Sequence, residues 1–560
     1  MHPAGWAPTR LIDVGSPGSE TVRVITINNQ WTSHEPCRYA TLSYRWGKDP
    51  KFYKLTAETM HTIFTALPLV WLPKTFRDAI QMTWALGLRY LWIDALCIVQ
   101  GSEEDWNKEA PQMAHVYGNS FVSLAATSSD DAEGGLLFQR WPPMINGIQV
   151  QLKAGKSQWE EVLLTCGPKW ASHIEDSFLN QRAWVFQERV LAPRTIHFAK
   201  EQLYWECHEA TSSEQNPNNI LQAIECTSPI HRLRQSLVGL RHESQRGTFD
   251  TKWLWDDIIT AFNPKLMTSV NDKLMALSGI ANHIAQYRPY DQYLAGIWSS
   301  HLQSSLMWEP TRRVGTRCIR SSNASTPTWS WASVDGVVTT RGFDLRGGFA
   351  EILDAKTFPT GDRLGPVQGG YLVVRSRLCK ALLTPGIIPA NSDTSYFRAP
   401  AAPQKRTLRA LFSSLVGELT SNGTNSNALV YQRVPGGMVL VHLDDDNAFE
   451  RLTPDRIFYL LELLYQPLAG DAVSVGLVLE PTTSPGQYRR IGTFNVHIGQ
   501  DDIDPNIYHL WRNPSSPSWM KINGGSDEHE DRNGRFWPLP LEPHEYCGFD
   551  GVERFQITIV

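Results

Sequence analysis

A carboxylate at the end of an apolar run is the first group in this chain that could do chemistry. Asp94 directly follows Tyr90–Ile93, an apolar run without polar alternation, which is typical of a strand buried on both faces. A charge in that position needs a partner or a function, because burying an unpaired charge is costly. Asp94 could steady positive charge, orient a ribose hydroxyl or act as a base. Alternatively, it caps the next turn or pairs with Arg45 or Arg182.

A second carboxylate lies in a polar cluster further along the chain. Glu188 could act as a general acid or base, or stabilise an oxocarbenium-like state during glycosidic cleavage. Arg182 and Gln187 accompany it in sequence, and Arg45 or Arg182 could clamp a phosphate or carboxylate through two parallel hydrogen bonds. The alternative is that these arginines only neutralise Glu188 and Asp94.

A thiol lies three residues after Asp94, at Cys97. A cysteine nucleophile needs a lowered pKa and a neighbouring base. His115, His197 and His208 are the candidate bases, but a buried structural cysteine is the favoured interpretation.

The run Ser43–Gly47 adds further polar and aromatic groups. Ser43 could donate a hydrogen bond at a strand end, although the chain has no G-x-S-x-G motif. Trp46 could stack on a base or ring, or pack in the core. The predicted site therefore has Asp94, Glu188 and Cys97 as catalytic residues and Ser43, Tyr44, Arg45, Trp46, Arg182 and Gln187 as substrate-binding residues.

Cofactor and metal motifs are missing from the sequence. There is no G-x-G-x-x-G, no G-x-x-x-x-G-K-[ST] and no C-x-x-C, and the eight cysteines are scattered. We therefore expect no bound cofactor, no metal and a reducing compartment.

The elements that must position these residues alternate between strands and helices. Apolar patterning predicts strands over 22–29, 38–47, 90–93, 121–127 and 201–207, and helices over 72–87 and 103–117. Pro73 suits the first position of its helix, Ser102 caps the next one, and Pro111 should kink or shorten it. Strands joined by crossover helices predict a mainly parallel sheet with its ligand crevice beyond the carboxyl ends of the strands. Ser43–Gly47 and Asp94–Cys97 lie at two such ends.

The rest of the chain has a different composition. Residues 252–308 are predicted to be helical and are rich in Trp, and residues 384–428 are rich in Pro, Ala, Ser, Thr and Asn, as in a flexible loop. From residue 436 onward the pattern predicts a β-rich region.

Several blocks in order resemble the fungal heterokaryon incompatibility (HET) domain family. They are Tyr39–Gly47, Leu72–Ile80, Tyr90–Ile98, Gln112–Met113 with Tyr117, and Arg182–Arg189, with looser echoes at Asp272–Ala281, Pro327–Ser333 and Tyr488–Gly492. The resemblance implies a HET domain over 36–210, followed by a helical Trp-rich region over 211–335 and a β-rich region over 336–560. It also implies a TIR-like or flavodoxin-like α/β fold, because the family is similar to TIR domains, some of which cleave NAD.

The function implied by this resemblance is signalling in incompatibility or programmed cell death in a filamentous fungus, with NAD as a possible substrate. One alternative is a stand-alone enzyme of secondary metabolism, which uses the same pocket for acid/base or cyclisation chemistry. A second alternative is a non-catalytic interaction module. Each hypothesis allows a small-molecule ligand at the strand ends, and self-association is a further possibility.

Composition excludes several classes of protein. Hydrophobic residues make up 42% and charged residues 19% of the 560, which predicts folded domains with large cores. The net charge of −5, without a basic run, does not favour nucleic-acid binding. No stretch is apolar enough for a membrane helix, and the first residues lack the pattern of a signal peptide, so we expect a cytoplasmic protein.

Overall fold

The chain folds into two units, each with its own sheet. The structure is a computed structural model that describes residues 6–27, 37–140, 145–154, 158–164, 169–217, 228–243, 251–267, 272–311, 317–320, 325–340, 350–382, 429–434, 437–445, 457–468, 471–498, 541–550 and 554–560. The first unit runs to Tyr290 and includes Gly361–Pro366; the second comprises Asp291–Thr360 and Val367–Val560. The three-part division expected from sequence stays a prediction, because these units describe packing only.

The first unit is built on a mixed sheet. Its described strands are β1 Arg10–Asp13, β2 Thr21–Thr26, β3 Tyr39–Ser43, β4 Leu67–Pro68, β5 Tyr90–Trp92, β6 Val122–Ala125, β9 Arg194–Phe198, β10 Leu203–Cys207 and β11 Thr211–Ser213, with β7 Ile148–Ala154 and β8 Gln158–Leu164 as a separate hairpin. Nine described strands form one sheet in the order β11-β10-β9-β6-β3-β5-β1-β2-β4. Only β5, β3, β6 and β9 pair in parallel. The expectation of a mainly parallel sheet was therefore wrong, because hairpin-type pairings extend it on both sides.

Helices flank this sheet. In the first unit they are α1 Met60–Thr65, α2 Lys74–Ala85, α3 Asp94–Cys97, α4 Glu103–Glu109, α5 Met113–Gly118, α6 Ala183–Leu191, α7 Pro229–Glu243, α8 Thr251–Phe262 and α9 Lys273–Ala285, with short turns of 3₁₀ helix at Leu69–Trp71 and Ala110–Gln112 and of π helix at Ala171–Glu175. Every residue of β3 and β6 is buried, as expected for central strands covered on both faces.

Local signals in the sequence placed the elements near the site well. The helix predicted over 103–117 is divided by a 3₁₀ turn that contains Pro111, and the Ser102 side chain accepts a hydrogen bond from the Asp105 amide at 3.2 Å. Pro73 is the N-cap of α2 rather than its first residue. Strand β3 ends at Ser43, which leaves the following residues to Gly47 for the loop at the sheet edge.

The order of the parallel strands defines where the chain reverses direction across the sheet. From β3 the chain passes to β5 on one side and then to β6 on the other. The order β5-β3-β6-β9 corresponds to the first four strands of a flavodoxin-like sheet, in which ligands bind at the point where the strand order reverses. Here that point lies between β3 and β6.

The second unit contains the β-rich region expected from the sequence. Its strands are β12 Tyr293–Leu294, β13 Ile297–Trp298, β14 Glu309–Pro310, β15 Ile319–Arg320, β16 Val334–Asp335, β17 Val338–Thr339, β18 Glu351–Pro359, β19 Val367–Ser376, β20 Leu378–Leu382, β21 Leu429–Val434, β22 Gly437–Leu443, β23 Ile457–Leu468, β24 Asp471–Pro481, β25 Gln487–Ile498, β26 Gly548–Phe549 and β27 Phe555–Ile559. Short helical segments lie at α10 Leu302–Ser305, Ser299–His301, Trp331–Ser333 and Pro543–Glu545. The loop predicted over 384–428 lies outside the described residues.

A buried arginine organises the core of the second unit. The Arg490 guanidinium donates two hydrogen bonds to the Asp444 carboxylate, at 2.8 and 2.9 Å, and lies 3.7 Å from the centre of the Trp308 ring. It also donates to the carbonyls of Leu306 and Trp308. The Tyr488–Gly492 block in the sequence therefore supplies a structural charge in this unit.

The described part of the chain contains no helix that is long and apolar enough to cross a membrane.

Candidate functional site

Asp94 lies at the carboxyl end of β5, in the first position of α3, where three donors hold its carboxylate. The Tyr44 hydroxyl donates to Oδ1 at 2.8 Å, the Trp46 indole N–H to Oδ2 at 2.9 Å, and the Ala95 amide to Oδ1 at 2.6 Å. Both aromatic donors come from the loop after β3, so the two strand ends expected from sequence meet here.

Glu188 lies beside the same strand ends, on α6, but in a drier environment. Its side chain is only 7% exposed, and its Oε2 accepts a hydrogen bond of 2.5 Å from the Ser43 hydroxyl. Burial raises the pKa of Glu188 to about 7, although Ser43, Arg182 and Tyr117 act in the opposite direction. The negative charge of Asp94 contributes to the rise, so the two carboxylates interact electrostatically.

The two predicted arginines both lie next to Tyr44, one in sequence and one in space. Arg182 is the N-cap of α6, and its Nη1 donates to the Tyr44 carbonyl at 2.6 Å. Arg45 lies 3.5 Å from Asp130 and over the Phe178 ring. Among the ion pairs of the described residues, neither arginine is paired directly with Asp94 or Glu188.

Comparison with known proteins identifies the domain that carries this site. Residues 39–188 match the family model described as heterokaryon incompatibility protein (HET). The chain carries a heterokaryon incompatibility domain. No match was found among the curated proteins or among the solved structures. The family match confirms the resemblance in the sequence, while the likeness to TIR domains stays a prediction.

The family match ends at Glu188, but residues beyond it support the HET domain site. The Gln187 amide oxygen accepts a hydrogen bond of 2.8 Å from the backbone N–H of Gly279, in α9. A Cβ atom at Gly279 would lie 2.1 Å from the Cβ of Ala114 and 2.7 Å from the Gln187 oxygen. Gln187, predicted to bind substrate, thus joins α6 to α9, and only glycine allows the two helices to approach this closely.

A buried network of ion pairs holds the next residue of α6. The Arg189 guanidinium pairs with Glu175 at 3.0 Å and with Glu206 at 2.7 Å, and Glu206 also contacts Arg234 at 3.3 Å and His197 at 3.1 Å. Against the effect of burial, Arg189 lowers the pKa of Glu175 to about 2. Such a network fixes the orientation of α6 because every charge in it is paired inside the protein.

Cys97 has the surroundings of a structural cysteine. Its side chain is 1% exposed, and burial raises its pKa to about 12, whereas a nucleophilic thiol needs a lowered pKa. Two of the three candidate bases have other neighbours: the His197 ring contacts Glu206, and the His115 ring packs against Trp6. Its catalytic role stays a prediction without support from its surroundings.

Trp46 packs against its neighbours, which is one of the two roles considered for it, while stacking on a ligand stays a prediction. Its ring is half-buried, 5.5 Å from the Phe52 ring and 5.4 Å from the Lys54 ammonium group. Its indole nitrogen orients Asp94 as described above.

Two parts of the site were not singled out from sequence. Tyr117 lies in the α5 segment of the family blocks, and its hydroxyl donates to the Leu42 carbonyl at 3.1 Å and also interacts with Glu188. The loop after β6 carries Asp130 to a position next to Arg45. The same strand-end rule, applied to the predicted strand 121–127, could have found this loop.

Proposed function

We propose that the HET domain of this chain cleaves the N-glycosidic bond of NAD, in signalling of the incompatibility or cell-death type. The observation that carries the proposal is the pair of carboxyl groups near the strand ends, which lie in contrasting environments. Asp94 is held by three hydrogen-bond donors, and burial raises the pKa of Glu188 to about 7. Two carboxylates with such different environments are the arrangement that separates an electrostatic role from a proton-transfer role.

The roles of the two groups follow from the chemistry of the bond. When the bond between ribose C1′ and the pyridinium nitrogen breaks, its electron pair stays with nicotinamide, which leaves as a neutral molecule. The sugar becomes oxocarbenium-like, and the Asp94 carboxylate stabilises that positive charge. Water then adds to C1′ and gives its proton to Glu188, which releases it to solvent. The products are nicotinamide, ADP-ribose and one proton.

A base with a pKa near 7 sets the expected pH dependence. Glu188 accepts a proton only when it is ionised, so turnover should rise as the pH increases through about 7 and then level off. This profile would be inverted if Glu188 acted as an acid.

The test measures the release of nicotinamide from NAD by the purified chain, and chromatography detects the nicotinamide. Glu188→Gln and Asp94→Asn should each reduce the rate by about 10²-fold or more. Glu109→Gln is the matched control, because Glu109 is another buried glutamate of this unit whose pKa is raised by burial but whose charged neighbours are Arg10, Asp105 and Lys108. The proposal fails if concentrated wild-type protein releases no nicotinamide, or if Glu188→Gln matches the wild type.

A further inference from the structure

Two loops lie in close contact at the point where the strand order reverses. The loop after β3 and the loop after β6 begin side by side, because the Ala126 amide donates to the Ser43 carbonyl at 2.9 Å. Gly47 has a φ of +86°, and a Cβ atom there would lie 2.9 Å from the Cβ of Asp131. The glycine therefore lets the first loop lie directly against the second, at the point where such sheets bind ligands.

Arg45 projects from this loop contact with its guanidinium only weakly engaged. The group lies over the Phe178 ring, 5.2 Å from its centre, and its Nη1 is 3.5 Å from Asp130. Asp130 is 80% exposed and Arg45 31% exposed. By contrast, Arg182 and Arg189 make hydrogen bonds of 2.6 and 2.7 Å to acceptors inside the protein.

We propose that Arg45, supported by Phe178, is the subsite for a phosphate group of the substrate, and that Asp130 occupies the guanidinium until this phosphate displaces it. The inference rests on the proposed function, since the phosphate belongs to the nucleotide that is cleaved. The subsite would make the domain selective for nucleotides with a diphosphate over the corresponding nucleosides, which lack the phosphate that Arg45 binds.

The chemistry of the guanidinium supports this assignment. Its planar fork matches two oxygens of a phosphate, and an aromatic ring beneath it limits the orientations that it can adopt before binding. An exposed carboxylate at 3.5 Å forms a weak pair that a phosphate of a doubly charged diphosphate can replace. Arg182 contributes a second positive charge at the neighbouring Tyr44 carbonyl.

The experiment titrates inorganic pyrophosphate into the purified full-length chain and follows binding by calorimetry. Arg45→Gln should weaken the affinity about tenfold or more, whereas Asp130→Asn should strengthen it about two- to fivefold because the internal competitor loses its charge. Arg38→Gln is the matched control: Arg38 also lies over a phenyl ring, that of Phe121 at 4.0 Å, but it precedes β3 at the opposite end of the strand. This control should bind pyrophosphate as the wild type does.

Three results would overturn the inference. They are the absence of pyrophosphate binding to the wild type, unchanged binding by Arg45→Gln, and a loss with Asp130→Asn as large as that with Arg45→Gln. The assay separates this inference from the proposed function. If the protein releases nicotinamide but Arg45→Gln binds pyrophosphate as tightly as the wild type, only the subsite is refuted. If pyrophosphate binding depends on Arg45 but no nicotinamide is released, only the cleavage is refuted.

Discussion

The raised proton affinity of Glu188 predicts that the stability of the first unit depends on pH. The pKa rises from an ordinary 4.5 to about 7 because the carboxyl is buried. The folded unit therefore binds this proton more tightly than the unfolded chain does. The stabilisation from the bound proton is fully present below about pH 4.5 and is lost as the pH rises through about 7, a change of about 3 kcal/mol.

Replacing the group removes this dependence. Glu188→Gln has no proton to lose, so the wild type should become less stable relative to the variant by about 3 kcal/mol between about pH 4.5 and about pH 8. An exposed glutamate of the same unit, Glu104, is the control, and Glu104→Gln should follow the wild-type profile.

The assay uses the buried thiol of Cys97 as a probe of unfolding of the first unit. Because this side chain is 1% exposed, a thiol reagent labels it only when the surrounding structure opens. Wild type and variant are compared at each pH, so the reactivity of the thiol itself cancels. The ratio of labelling rates, wild type over Glu188→Gln, should increase about a hundredfold across the range.

Two outcomes would contradict the reasoning. A ratio that stays constant within about twofold would show that Glu188 titrates as it does in the unfolded chain. A ratio that decreases with pH would show that Ser43, Arg182 and Tyr117 outweigh burial and lower the pKa.

Three further predictions concern packing and reactivity. Gly279→Ala should destabilise the first unit by about 1–3 kcal/mol, because the new methyl group has no room. Gly239→Ala, where nothing lies within 4 Å of the new methyl group, should be neutral or stabilising. Chemical denaturation measures both changes. Arg189→Met should lower the free energy of unfolding by about 3–5 kcal/mol, because Glu175 loses its ion pair with Arg189 and Glu206 is left with Arg234 and His197. Arg89→Met, at a pair in which the arginine is 62% exposed, should lower it by about 0–1 kcal/mol. In the native protein Cys97 should resist iodoacetamide near pH 8, because its pKa of about 12 leaves almost no thiolate; rapid modification, identified by mass spectrometry, would refute this.

Local sequence signals placed Asp94 and the elements next to it. An apolar run followed directly by Asp94 indicated a buried strand with a polar end, and the structure places that carboxylate at the carboxyl end of β5. A proline inside the predicted helix 103–117 indicated its interruption. These predictions succeeded because they depend on residues close together in sequence, whose spacing sets the local structure.

Partners that are far apart in sequence could not be assigned in the same way. The sequence allowed Arg45 or Arg182 to pair with Asp94, but the structure instead holds that carboxylate with Tyr44 and Trp46. The partner of Gln187 lies 92 residues away, in a helix outside the family match. Which side chains meet is decided by the order of strands and the packing of helices, and neither is encoded in a short pattern.

By itself, the sequence determined that this chain has a HET domain, that polar residues follow its buried strands, and that the last part of the chain is rich in strands. Only the tertiary structure decided that the pKa of Glu188 is raised to about 7, because that shift depends on how completely distant parts of the chain exclude water from the carboxyl group. The tertiary structure also decided that the strand order reverses between β3 and β6, where Arg45 faces the loop after β6. A strand's neighbours in a sheet depend on long-range pairing, which the pattern of residues along one chain leaves open.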